Sequence, residues 1–269
     1  MHGLPLLFLA LTLGACGSAT ANVLSETAGS LDEIKSGVVD VQLVAEGESD
    51  AGPAEAGFTL TGPFTMPDPG ELPTADIEYT KFGDEESTGR FVSTSEAAYV
   101  ETDDGTVYEL PPEMTAGLIG TEESGNPFDL VELESWVEEA ELEEDTSYSG
   151  VDTNKVTANP DVVAALNDIF EVARALGAAE QDFPPIEGSA ADDLRSAVSS
   201  SSLVLHAGRE DDLLRHVAID IEWAPQETPE LGDVLGEPGT REFHFEFSIA
   251  DVNEPVEIEA PTDAVPFEG

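Results

Sequence analysis

The chain has 269 residues, of which 58 are Asp or Glu and 9 are Lys or Arg, giving a formal net charge of −49. Nucleic acid is bound through Lys and Arg that neutralise phosphates, so a polyanion of this kind is repelled by it, as it is by anionic headgroups. Because 40% of the residues are still hydrophobic and the acids are interspersed, the composition speaks against a disordered acidic tail and for one folded domain inside a solvated acidic shell.

The first element is the apolar run LPLLFLALTL, Leu4 to Leu13. It is shorter than the roughly 20 residues of a spanning helix. It matches the hydrophobic region of a secretory signal, about 7–15 residues. Small residues, Gly14 and Ala15, lead into Cys16, the one cysteine of the chain. A lone thiol forms no internal disulfide and completes no zinc site. The run Leu13-Gly14-Ala15-Cys16 resembles the bacterial lipobox. In such proteins the thiol receives a diacylglycerol, the peptide is cut before the cysteine, and the new amino terminus is often acylated. The resemblance implies a signal peptide over 1–15, a lipidated N-terminus and linker over 16–27, and one domain over 28–269. It also implies lipidation at Cys16 and a place on the extracytoplasmic face of the cell membrane. Met1-His2-Gly3 departs from the usual signal in carrying no Lys or Arg, and simple secretion is the other reading. Acyl chains hold such a protein at about 0.8 kcal/mol per buried CH₂.

In VLSETAGSLDEIKS, Ser25 is placed to cap a brief helix ending near Ser36. Period-two alternation follows, which means antiparallel strands with one face on a core and one in water. GVVDVQLVAEG sets Val39, Val41, Leu43 and Ala45 against Asp40 and Gln42. GFTLTGPFTM alternates Phe58, Leu60, Phe64 and Met66 with threonines, and TADIEYTKF alternates Ile77 and Tyr79 with polar residues. RFVSTSEAAYVETDDGTVYEL holds two or three short strands, with a hairpin turn at Asp104-Gly105. NPFDLVELESWVEE predicts a short helix opened by Asn126 and Pro127, and SYSGVDTNKVTA a strand. The clearest helix is NPDVVAALNDIFEVARALG: Asn159 caps it, Pro160 takes the first turn and Gly177 ends it. Its apolar stripe is Val162, Leu166, Ile169, Phe170, Ala173 and Leu176. SAADDLRSAVSS is a weaker helix.

SSLVLHAG and DLLRHVAIDIEWA pair as a hairpin, with Val217, Ile219, Ile221 and Trp223 on one face and His216, Asp220 and Glu222 on the other. TREFHFEFSIADVN repeats the pattern with Phe243, Phe245, Phe247 and Ile249, and a last short strand is expected in EPVEIEAP. The sum is one α+β domain, a large antiparallel sheet with about three helices over its apolar face.

With the lipobox, the stretches KSGVVDVQLVAEG, AAYVETDDGTVYEL, YSGVDTNKVTANPDVV and VNEPVEIEAPTDAVPF resemble the actinobacterial LppX/LprAFG lipoproteins of the wider LolA/LolB-like group. The similarity runs over nearly the whole chain after Cys16, in order of elements. It implies a curved antiparallel half-barrel whose concave side is lidded by helices, with an apolar cavity for acyl chains of a lipid or glycolipid that the protein carries or presents in the envelope. The lining it implies is Val41, Leu43, Phe58, Leu60, Phe64, Val217, Ile219, Ile221, Phe243, Phe245 and Phe247, with Leu166 and Phe170 from the lid. As partners it implies that lipid, the membrane through the N-terminal anchor, and a membrane transporter, the protein itself being a monomer. Taken singly, these residues are ordinary core by the periodicity alone.

No catalytic residue is assigned: the sequence holds no G-x-S-x-G, no S-x-x-K, no P-loop and no G-x-G-x-x-G. No cofactor and no metal is expected, since VEEAELEED lies in no D-x-[DN]-x-[DN]-G loop. His206 and His216 meet across the predicted hairpin, the one arrangement suggestive of a metal, but alternation puts His216 and His244 on polar, solvent-exposed faces. A binding protein is therefore expected rather than an enzyme. Two alternatives stay open: a protein-interaction or regulatory lipoprotein of the same fold, and an acidic structural lipoprotein of the cell surface.

Overall fold

Alternation becomes strand almost wherever the sequence shows it. The structure is a computed structural model that describes residues 16–49, 52–67, 71–83, 86–115, 130–175, 185–223 and 241–267. The run Leu4–Leu13, the pair Asn126-Pro127, Leu176 and Gly177 lie outside the described residues, as does the side chain of Ala173. Helix α1 spans Cys16–Gly29, and strands β1 (Ser36–Ser49), β2 (Gly52–Thr65), β3 (Thr74–Phe82), β4 (Ser87–Ser93), β5 (Ala98–Glu101) and β6 (Val107–Glu109) follow. Then come the single turn α2 (Pro112–Thr115), β7 (Val137–Tyr148), β8 (Val151–Pro160), α3 (Val162–Ala175) and α4 (Gly188–Ala197). The chain closes with β9 (Val198–Gly208), β10 (Leu214–Trp223), β11 (Arg241–Ala250) and β12 (Val265–Pro266).

All twelve strands form one curved sheet in the order β12-β6-β5-β4-β3-β2-β1-β11-β10-β9-β8-β7, unclosed between β12 and β7. The fold is α+β as expected, but the sheet is mixed rather than purely antiparallel, because β12 pairs β6 in parallel. The expected strand in EPVEIEAP does not form; Pro255 and Pro261 remove backbone donors there, and the two-residue β12 lies farther on.

Turns obey local chemistry. Ser149 and Gly150, both at positive φ (48° and 85°), make a two-residue connection between β7 and β8 of the kind whose twist suits a hairpin. Asp104-Gly105 turns as expected, with Gly105 at φ 78° and its N–H donated to the Thr102 carbonyl. Gly62 is needed for another reason: a Cβ there would stand 1.9 Å from the carbonyl oxygen of Asp76 on β3.

Three helix expectations are corrected. Helix α1 starts at Cys16 and contains Ser25, because Val23, Leu24 and Thr27 are buried and this packing outweighs the local capping signal. Over 133–148 the chain makes a 3-10 turn, Leu133–Trp136, and then strand β7 rather than a helix, since Ala140 and Leu142 join the sheet opposite Ala158 and Val156. In α3 the cap is Asp161, not Asn159, and Pro160 is still strand, opposite Val137. The Asp161 carboxylate accepts from the N–H groups of Val163 (3.0 Å) and Ala164 (3.2 Å).

Polar clamps place the helices. Asp168 of α3 accepts from the Trp136 indole N–H and the Glu132 backbone N–H, both at 2.8 Å. Asn167 exchanges two bonds with the backbone of Ile186 ahead of α4, and Arg195 of α4 reaches Asp161 at 3.5 Å. Val23 and Leu24, Leu133 and Trp136, Val162, Leu166 and Ile169, and Leu194 share one hydrophobic core with the apolar side chains of β8–β11. Each Leu- or Ile-sized side chain buried there contributes about 1.5–3 kcal/mol.

Candidate functional site

Strand register arranges the apolar face in rows. One runs Tyr79, Leu60, Val41, Phe247, Val217, Leu205, Val156, Leu142, from β3 to β7. The next runs Lys81, Phe58, Leu43, Phe245, Ile219, Leu203, Ala158, Ala140. A third carries Ala56, Ala45, Phe243, Ile221 and Ser201, and beyond it Gly47, Arg241 and Trp223 stand opposite one another. The register thus brings Val41, Leu43, Phe58, Leu60, Val217, Ile219, Ile221, Phe243, Phe245 and Phe247 onto one surface. Phe64 lies farther along the same side of β2, opposite Gly37.

Burial divides these residues. Val217, Ile219, Ile221, Phe243, Phe247 and Leu166 are buried in the core with the helices. Val41, Leu43, Phe64, Phe170 and Phe245 are half-buried and pack against that core. Phe58 and Leu60 are half-buried and stand outside it, and so do their neighbours Ile77, Tyr79, Phe91, Val100 and Tyr108 on β3–β6. The same side of the sheet is thus packed core from β8 to β11 and, from β2 to β6, an apolar wing whose Phe58 and Tyr79 rings sit 6.4 Å apart.

Charge divides the faces as sharply. Strands β1–β6 and β9–β11 put no Asp or Glu on the apolar side; by register Asp40, Glu46, Asp76, Glu78, Glu101, Asp220, Glu222, Glu242 and Glu246 all take the other. Of those acids Asp76 is held by Arg90 at 2.6 Å in a fork; elsewhere Lys155 meets Glu143 at 3.8 Å, Arg215 meets Asp211 at 2.5 Å, and Arg209 pairs with Asp145. The Asp76 hydrogen bond raises the Arg90 guanidinium above its ordinary value.

The acidic face also carries the histidines. His206 and His216 meet across the β9–β10 hairpin as expected, ring centres 5.7 Å apart, but they are buried rather than solvent-exposed. The reason is Tyr148 at the end of β7, whose ring stacks on His216 at 4.5 Å and lies 5.2 Å from His206. Burial, then the neighbouring His216, lowers the pKa of His206, whose Nδ1 is 3.1 Å from the Thr153 hydroxyl. Burial raises that of Tyr148. His216 Nε2 meets Glu246 at 3.0 Å, and half-exposed His244 meets Asp220 at 2.7 Å. Among the described residues no three His, Cys, Asp or Glu converge as a metal group. An open groove of about 530 Å³ beside His244 is lined by Gln42, Glu46, Glu55, Asp220, Glu222, Glu242 and the serines 200–202, with Val44, Ile221 and Phe243 also bordering it.

Sequence reasoning missed Ile77, Tyr79 and Phe91 as part of the apolar surface, although their alternation was visible, because the pairing of β2 with β3 and β4 is what joins them to Phe58 and Leu60. It also missed Tyr148, for which no local signal exists. Cys16 is the first residue of α1, and among the described residues no helix is long and apolar enough to cross a membrane.

No family model and no curated protein matches the chain. Solved structures similar to it include LprF from Mycobacterium bovis, 12% identical over 94% of this chain and 100% of that one, with a TM-score of 0.47. LppX, a lipoprotein of Mycobacterium tuberculosis, is 11% identical over 90% of this chain and 99% of that one, at 0.37. A LolA superfamily protein from Nitrosomonas europaea is 8% identical over 87% and 94%, at 0.22. The first two bear the names of the family that the sequence resembles.

Proposed function

We propose that this chain is a lipid-anchored lipoprotein of the extracytoplasmic membrane face that shelters the acyl chains of a lipid or glycolipid and carries or presents it in the envelope. The observation that carries the reading is the apolar wing: Phe58, Leu60, Ile77, Tyr79, Phe91 and Val100 continue the core's surface without being part of the core. A side chain of this size left half in water forgoes part of the 1.5–3 kcal/mol that burial gives, and a guest chain restores it. Helices α1, α3 and α4 lid the β8–β11 side, where Val217, Ile219, Ile221, Phe243, Phe247 and Leu166 set the floor. The guest lies toward β2, against Val41, Leu43, Phe58, Leu60, Phe64 and Phe245, with Phe170 at the boundary. Each methylene covered gains about 0.8 kcal/mol, so one long tail binds usefully with no chemical step and no cofactor.

Acylation of Cys16 makes the first residue of α1 the tether and holds the domain against the membrane as a monomer, within reach of a membrane transporter. Nucleic acid has no place on a surface of this charge. The test is mass analysis of organic extracts from the Cys16→Ser protein purified without detergent: a stoichiometric acyl lipid is expected. Extracts free of lipid, from protein that also takes up none when offered, would leave the protein-interaction or structural lipoprotein in its place.

A further inference from the structure

The apolar face carries a cation among its hydrocarbon. Lys81 ends the alternating set Ile77, Tyr79, Lys81 and stands directly opposite Phe58, half-buried, on the same side of the sheet. None of the described ion pairs uses it, in a chain of net charge −49. Arg241 shares this face three strands away on β11, two rows beyond that of Lys81, with its guanidinium 3.3 Å from where a Cβ on Gly47 would be. Opposite it is Trp223, 3% exposed, whose buried indole N–H has no hydrogen-bond partner. A buried donor left unmade costs free energy, and a cation beside hydrocarbon needs an anion or water. Lys81 thus stands on a surface from which the acids of these strands are excluded.

From the placing of this cation beside Phe58 on the acid-free face we infer that the guest is an anionic amphiphile: its tail lies along the wing and its phosphate or carboxylate head meets Lys81. This rests on the acyl-chain reading above and names the class of lipid. A head with no charge gains nothing from Lys81, whereas an anion desolvated beside it makes a charge-assisted hydrogen bond. On the acidic face the same anion would be repelled.

The experiment measures displacement of Nile red, a neutral apolar dye, from the purified full chain by two ligands with the same body: oleoyl lysophosphatidic acid and monooleoylglycerol. The phospholipid is expected to bind at least as tightly as the neutral lipid despite the protein's charge. Lys81→Gln should weaken the phospholipid about tenfold and leave monooleoylglycerol unchanged, and Lys81→Arg should restore most of the loss. Unchanged monooleoylglycerol binding shows that the Gln variant is folded. Equal affinities for the two lipids that Lys81→Gln does not alter would overturn the inference while keeping the acyl-chain site. Failure of both lipids to displace the dye or bind would overturn both readings. Inorganic phosphate alone should displace nothing at the same concentrations; competition by it would overturn the assignment to an amphiphile.

Discussion

Phe58 and Ile219 belong to one cross-strand row, linked through Leu43 and Phe245, and they test opposite halves of the apolar face. Ile219 is fully buried in the core. Ile219→Ala removes three carbons from a closed site and leaves a cavity, at a cost of about 3 kcal/mol within the usual 2–5. For a domain of this size each kcal/mol lowers Tm by about 2–4 °C, so the expected drop is about 6–12 °C. Phe58 stands outside the core and half in solvent, so Phe58→Ala opens no closed cavity. It should cost about 1 kcal/mol in stability, a Tm drop of about 2–4 °C. The same change strips hydrocarbon contact from a guest chain and should weaken uptake about tenfold. Thermal unfolding by circular dichroism and titration with monooleoylglycerol read the two effects on the same samples. Ile219→Ala, where folded, should bind nearly as the parent does. If Phe58→Ala proves as destabilising as Ile219→Ala and leaves uptake untouched, Phe58 is core and the division of the face is wrong.

Two further outcomes follow from local geometry. Asp161→Ala removes the acceptor for the N–H groups of Val163 and Ala164 and should cost about 1 kcal/mol, whereas Asn159→Ala should cost much less; the reverse order in urea unfolding would restore Asn159 as the cap. His206 is held neutral by burial, so its contribution to stability is complete above its unfolded pKa near 6.5 and is lost as pH falls below it, where the unfolded chain takes the proton first. Urea midpoints measured on both sides of pH 6.5 should show that fall, and His206→Gln should reduce it; an unchanged slope would remove His206 as its source.

Strands were legible because one face of the sheet faces water, which forces a strict period of two on the sequence. Residues Val39 to Ala45 and Phe243 to Ile249 needed nothing more. What the sequence did not disclose is which strands lie side by side: β1 pairs β11 across most of the chain, and no local pattern encodes a partner so distant. Over 133–139 a 3-10 turn and a strand stand where a helix is expected, because an acidic stretch with well-spaced apolar residues suits either element, and Ala158 and Val156 decide it from outside. His216 is buried although alternation puts it on a polar face, because alternation reports the face and not what folds over it; Tyr148 does the covering. Lys81 drew no notice beside Ile77 and Tyr79 in the alternation, and only the register sets it against Phe58 on the apolar side.

The central claim is that an acyl chain lies on the β2–β6 wing, and fluorescence quenching tests it most directly. Phe91→Trp places an indole on that wing, away from the native Trp136 and Trp223, which are buried. A lysophosphatidic acid with a brominated stearoyl chain should quench the emission that Phe91→Trp adds, and its unbrominated counterpart should not. Added emission that stays unquenched at saturating brominated lipid would place the chain elsewhere and contradict the claim.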